Sequence, residues 1–174
     1  MEEELVFPFN RTKIVIQMLT QIALIFMFGS LFKLFFEDPT GNRIIILIIS
    51  PLAIALAISS FIFTLRAFLS KSPGLVINRA GIIDNTTGAS AGKISWENIS
   101  RIFVTQQRST QFLTIEVHNP EQYLRQGTFL SRIFKRINYM FFHSPIHISA
   151  HALDVSFSEM IESVERYHRK YGHQ

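Results

Sequence analysis

Two long runs of apolar residues dominate the first third of the chain. They extend over residues 14–36 and 44–65, and a short polar connection that contains Pro39 and Gly41 separates them. A helix rises about 1.5 Å per residue, so each run is long enough to cross the roughly 30 Å hydrocarbon layer of a bilayer. The pattern predicts a transmembrane helical hairpin that occupies residues 1–70.

Lysine and arginine near the ends of the two runs predict the orientation of this hairpin. The cytoplasmic flanks of membrane helices carry an excess of these residues. Two of them precede the first run, three follow the second, and two lie at or near the connection: Arg11, Lys13, Arg66, Lys71, Arg79, and then Lys33 and Arg43. The distribution predicts a two-pass membrane protein whose N and C termini are both cytoplasmic.

The sequence pattern changes after the linker at residues 70–74. Short segments that are rich in β-branched residues and separated by turn residues are typical of strands in a small sheet. They occupy residues 75–78, 82–84, 93–96, 101–104, 112–117 and 146–148. A helix follows, because Ser156 and Glu159 form a capping box and Gly172 stands where a helix would end. The sequence therefore predicts an α+β domain over residues 73–174.

Residues 128–142 predict a basic amphipathic helix, which is the main candidate functional site. Apolar residues recur there at helical spacing, and basic residues collect on another face. Such a helix suits an anionic lipid surface, with its aromatic residues at the depth of the headgroups. The residues assigned to a membrane-surface or partner contact are Arg125, Arg132, Lys135, Arg136, Phe141 and Phe142.

Three other roles compete with lipid contact for this helix. It covers an open edge of the small sheet, or its apolar face packs against the transmembrane hairpin, or it binds a protein partner. Each role would produce the same spacing of apolar and basic residues, so the sequence leaves all four open.

The residue inventory does not support catalysis, and we expect no enzyme, no cofactor and no metal centre. The chain has no cysteine, phosphate-binding glycine loop, nucleophile elbow or His-Glu-x-x-His motif. Three histidines are evenly spaced, at His143, His147 and His151. Pro145 and the strand-like residues 146–148 would interrupt a helix through them, so they would not share one face. The net charge of +4 is too diffuse to indicate a nucleic-acid partner.

Several of these segments together resemble a family of small bacterial membrane proteins with no established activity. The resemblance rests on residues 73–78, 81–84, 94–99 and 146–149, the last followed by 152–154. In that family a transmembrane hairpin precedes a domain similar to pleckstrin-homology (PH) domains. The resemblance implies location in the bacterial inner membrane and a PH-like antiparallel sheet or barrel of about six or seven strands, capped by the C-terminal helix. It implies no catalytic residue.

The combined prediction is a membrane α-hairpin plus an α+β domain that acts by binding. In the first hypothesis the PH-like cytoplasmic domain binds a protein or a lipid headgroup, so membrane lipids and a protein are the expected partners. In the alternative the hairpin recognises another membrane protein, as an immunity protein against a membrane-targeted toxin or as an accessory subunit of a membrane complex. A homo-oligomer is compatible with both hypotheses.

Overall fold

The computed structural model divides the chain into two compact units. The hairpin unit is Arg11–Ser70, and the sheet unit combines Met1–Asn10 with Lys71–Gln174. The described residues on both sides of the hairpin therefore belong to the sheet unit. The residues that the structure describes are 4–37, 44–87, 90–107 and 110–172.

Two helices form the hairpin unit: α1 spans Arg11–Glu37 and α2 spans Ile44–Leu69. Both are long and apolar enough to cross a membrane. Only 11% of the residues in the most apolar stretch of α1 are buried, and 6% in that of α2, whereas a core helix of a soluble protein is mostly buried. The predicted runs 14–36 and 44–65 lie inside these helices, which confirms two apolar helices of transmembrane length.

The two helices contact each other partly through polar side chains. Gln21 on α1 donates from Nε2 to Ser60 Oγ at 2.8 Å and to Thr64 Oγ1 at 3.1 Å, both on α2. Thr64 in turn donates to the carbonyl of Ser60 at 2.9 Å. In a membrane each interhelical bond of this kind contributes about 0.6 to 2 kcal/mol. Polar contacts between helices that expose apolar residues are typical of a lipid-facing hairpin.

A four-stranded antiparallel sheet begins the sheet unit, in the order β1–β2–β3–β4. The strands are β1 Leu5–Phe7, β2 Leu75–Asn78, β3 Gly81–Asp84 and β4 Gly92–Ser95. A tight turn joins β2 to β3, and in it the side chain of Asn78 accepts a hydrogen bond from the amide of Ala80 at 2.9 Å. This turn joins two of the segments that the sequence predicts to be strands, residues 75–78 and 82–84.

A second antiparallel sheet has the order β5–β6–β7. Its strands are β5 Ile99–Gln107, β6 Thr110–Val117 and β7 Ile146–Ile148, and the short 3-10 helix Trp96–Asn98 leads into it. Among the described residues, three helices complete the unit: α3 Pro120–Leu124, α4 Phe129–Phe142 and α5 Phe157–Tyr171. The predicted α+β layout of antiparallel strands and a C-terminal helix is confirmed at this level, but the strands form two sheets where the sequence predicts one.

One hydrophobic cluster joins both sheets to α5. Among its buried members are Ile77, Ile82, Ile94, Leu113, Ile115, Met160 and Val164. Trp96 is buried in the same cluster, and its indole Nε1 donates to the carbonyl of Asn78 at 2.9 Å. Helix α5 begins where the sequence predicts, because the amide of Glu159 donates to Ser156 Oγ at 3.2 Å. The cluster and this cap fix α5 on the sheets.

Strand β1 is the main difference from the predicted organisation. The sequence boundary assigned residues 1–70 to the hairpin, but β1 pairs with β2, with Val6 opposite Val76. The helical hairpin is thus inserted between two neighbouring strands of one sheet. A strand of three residues that ends just before Pro8 is too short to display the alternation by which strands are recognised in a sequence.

Candidate functional site

Helix α4 follows α3 and leads into β7. The amide of Ser131 donates to Thr128 Oγ1 at 3.3 Å, which caps the first turn. His143 ends the helix in a left-handed conformation with φ of 54°. Gly127, with φ of 93°, lies just before the start of the helix. The position and length of the predicted amphipathic helix are confirmed.

The buried face of α4 is polar. Ser131 and Lys135 are buried, and Asn138 on the next turn is half-buried. At about 100° per residue these three positions fall within an arc of about 60°. A helix on the surface of a soluble domain normally buries an apolar stripe, so α4 has the opposite arrangement.

The apolar residues of α4 are exposed. Phe129 is 70% exposed, and Met140 and Phe141 are each 67% exposed. The α4 apolar face, as we call this surface, consists of Phe129, Leu130, Ile133, Phe134, Ile137, Met140 and Phe141. At about 100° per residue they fall within an arc of about 140°. A contiguous apolar surface on one side of a helix marks an interaction site.

Arg132 and Arg136 lie beside the α4 apolar face and are exposed. They are one turn apart, so their guanidinium groups project along the same edge of the helix. Arg125 lies just after α3, where its Nε is 3.7 Å from the exposed carboxylate of Glu121. Helix α4 therefore unites two of the predicted basic residues, Arg132 and Arg136, and leaves Arg125 next to an acidic side chain.

Lys135 departs from the sequence prediction, which grouped it with the exposed arginines. It is 2% exposed, and its Nζ donates to the carbonyl of Gln126 at 3.3 Å. Burial lowers the pKa of the Lys135 ammonium, and the negative charge of Asp84 acts in the opposite direction. The assignment of Lys135 to a surface contact is thus corrected: it fixes α4 from the buried side.

Asp84 is a buried carboxylate that sequence reasoning did not single out. Its Oδ1 accepts from the amide and the hydroxyl of Thr86 at 2.9 and 2.7 Å and from Ser90 Oγ at 3.2 Å, and its Oδ2 accepts from the amide of Ala91 at 3.1 Å. Burial raises the pKa of Asp84, although these hydrogen bonds favour the ionised form. An aspartate that is followed two residues later by threonine, in a polar loop, was the available signal.

The two predicted aromatic contacts have different surroundings. Phe141 belongs to the α4 apolar face and is largely exposed. Phe142 is half-buried, and its ring centroid is 5.1 Å from that of His147 in a T-shaped contact. Phe141 is therefore available to a partner, whereas Phe142 anchors the end of α4.

His147 is held by hydrogen bonds on both ring nitrogens. Nε2 is 3.1 Å from the carbonyl of Ser144, and Nδ1 is 2.9 Å from Thr114 Oγ1. A carbonyl can only accept, so Nε2 carries the proton and Nδ1 accepts from the threonine hydroxyl. Burial lowers the pKa of His147, and the Ser144 carbonyl partly opposes this effect.

Stability of the sheet unit is expected to decrease in mild acid because of His147. The unfolded chain protonates this residue near its ordinary pKa of 6.5, whereas the folded unit protonates it only at lower pH. Between these values the unfolded state binds more protons, so the stabilisation is full above about pH 6.5 and is lost as the pH falls through the lowered pKa. Urea unfolding between about pH 7.5 and about pH 5.5, followed by Trp96 fluorescence, measures this loss. If the stability of a His147→Gln variant depends on pH as that of the unmodified protein does, the loss of stability comes from another group.

The evenly spaced histidines lie in different elements. His143 follows α4, His147 is in β7, and His151 is in the loop before α5. As predicted, no helix runs through all three. In the part of the chain that the structure describes, no group of three His, Cys, Asp or Glu side chains could hold a metal ion.

Comparison with known proteins identifies no relative. No family model, no curated protein and no solved structure matches the chain. Function is therefore inferred from the geometry of α4 and the composition of the hairpin.

Proposed function

We propose that this chain is a non-enzymatic, two-pass protein of the bacterial inner membrane whose cytoplasmic domain contacts membrane lipids through α4. The observation that carries the proposal is the arrangement of this helix. Its polar residues Ser131 and Lys135 are buried and its apolar face is exposed. The hairpin is the anchor, and α4 is the surface that binds.

The free energy of apolar burial favours a lipid partner for α4. Each large apolar side chain that stays in water forgoes up to about 1.5 to 3 kcal/mol of burial free energy. The α4 apolar face carries several such side chains, including Phe129, Met140 and Phe141, each about two-thirds exposed. Insertion of these residues into the boundary between headgroups and acyl chains would recover much of this free energy.

The connections between the two units support contact with the membrane. Residues 8–10 join β1 to α1, and residues 70–74 join α2 to β2. An extended chain spans at most about 3.6 Å per residue, so a hairpin set in a bilayer keeps the domain close to the lipid. Because β1 and β2 pair, both ends of the hairpin must also leave the membrane on one side. The excess of flanking Lys and Arg supports the cytoplasm as that side.

The strand arrangement supports a PH-like domain. The resemblance to PH-like membrane proteins implies about six or seven antiparallel strands and a capping C-terminal helix, and the described residues form seven antiparallel strands and such a helix. In this chain the hairpin follows β1, so the first strand of the PH-like sheet is separated from the rest. We propose that the domain is PH-like with a transmembrane insertion.

A cysteine label on α4 tests the lipid contact in the full-length protein. The chain has no native cysteine, so Met140→Cys accepts one environment-sensitive fluorophore. After reconstitution in lipid vesicles, we expect a blue-shifted emission that lipid-borne quenchers reduce by several-fold, because position 140 inserts into the bilayer.

The matched control carries the same label on the exposed face of α5, in the variant Glu162→Cys. Its emission is expected to be that of a water-exposed fluorophore and to resist quenching from the lipid. If the label at position 140 behaves like the label at position 162, α4 does not contact the bilayer and the proposal is wrong.

A further inference from the structure

The charge of the segment that contains α4 indicates which lipids it binds. No Asp or Glu occurs between Glu121 and Asp154. Arg132 and Arg136 are exposed within this segment, beside the α4 apolar face. We propose that α4 selects anionic phospholipids, and that these two arginines bind the headgroup phosphates. This inference rests on the proposed contact of α4 with lipid.

Only two cations of the segment are placed for such binding. Lys135 is buried and bonded to the Gln126 carbonyl, and Arg125 lies beside Glu121. In the described residues, Arg132 and Arg136 have no acidic partner within salt-bridge distance. Among the described residues no acidic side chain neutralises these two charges, and the phosphates of an anionic surface would provide the negative charge.

The chemistry of arginine fits this role. A guanidinium group presents a planar fork of donors that binds two phosphate oxygens at once. Its aliphatic stem can lie along acyl chains while the charged end reaches the headgroups. Arg132 and Arg136 border the α4 apolar face, so insertion of that face brings both to headgroup depth. A partner surface that is only acidic would satisfy the arginines but leave most of the apolar face in water.

Each arginine is expected to increase docking on an anionic bilayer about fivefold, the equivalent of about 1 kcal/mol. The label at position 140 reports docking of the full-length protein. Vesicles of phosphatidylcholine are compared with vesicles in which part of the phosphatidylcholine is replaced by phosphatidylglycerol. We expect the docked-to-undocked ratio to rise with phosphatidylglycerol and to fall with added salt.

The double variant Arg132→Gln, Arg136→Gln is expected to lose most of the dependence on phosphatidylglycerol. Its control, Arg166→Gln with Arg169→Gln on α5, removes the same charge and should retain that dependence. Docking that is equal in the two kinds of vesicle overturns the lipid selection while the proposed function stands. A label that stays in water in both overturns the proposed function itself. Loss of the dependence in the α5 control as well would assign the effect to total charge and not to α4.

Discussion

Replacement of Lys135 by glutamate is expected to destabilise the sheet unit by about 4 kcal/mol or more. The variant places a second carboxyl group in a buried region that already contains the carboxyl group of Asp84, which is 1% exposed. It also removes the donor that now bonds to the carbonyl of Gln126. A carboxylate without a partner in a buried site and a lost hydrogen bond act in the same direction.

Urea unfolding in detergent micelles, followed by fluorescence, measures this loss. Trp96 is the single tryptophan and is buried in the core of the sheet unit, so its emission reports that unit and not the hairpin. Arg136→Glu makes the same charge change one position further along, on the exposed edge of α4, and is expected to shift stability by no more than about 0.5 kcal/mol. Lys135→Met keeps the aliphatic stem without a charge, so its loss of stability should lie between the losses of the two glutamate variants. Equal effects at positions 135 and 136 would contradict the buried position of Lys135.

Replacement of Gly81 by alanine is expected to prevent stable folding of the first sheet. Gly81 has φ of 144°, and a Cβ atom there would lie 1.9 Å from the carbonyl oxygen of Ile94. That oxygen belongs to the backbone of β4, so it cannot move without breaking the pairing with β3. We expect a loss of about 4 kcal/mol or more, beyond the range of ordinary substitutions.

Gly92→Ala is the matched control. Gly92 has φ of 69°, but a Cβ atom there meets nothing within 4 Å. The substitution should therefore carry only the backbone penalty of about 1 to 2 kcal/mol for a left-handed residue. The same Trp96 measurement compares the two variants, and a small loss for Gly81→Ala would rule out the close approach of β3 and β4.

The sequence was sufficient where the signal is local. The two apolar runs, the turn between β2 and β3, and the cap at Ser156 are patterns of neighbouring residues, and all three are found in the structure. Strand β1 was missed because its partner, β2, lies beyond the whole hairpin, and three residues carry too little pattern of their own. Helix α3 is not predicted either, because Pro120–Leu124 makes little more than one helical turn and is too short to show a helical pattern.

The candidate site illustrates a different limit. Helical spacing separates an apolar face from a basic face, but it does not say which face is buried. The usual rule for a soluble domain would turn Leu130 and Ile133 inward, yet both are exposed. For the same reason the sequence groups Lys135 with Arg132 and Arg136. It does not show which of these neighbouring basic residues faces the interior.

The insertion of the hairpin between β1 and β2 constrains how the protein is made. Strand β1 leaves the ribosome before the hairpin, and its partner β2 is not synthesised until both apolar helices have followed. Pairing over so long a separation is slow, because the loop must close before the contacts form. The first sheet is therefore completed only after the hairpin has been synthesised. Both apolar helices of the hairpin are thus synthesised while β1 is still without its partner strand.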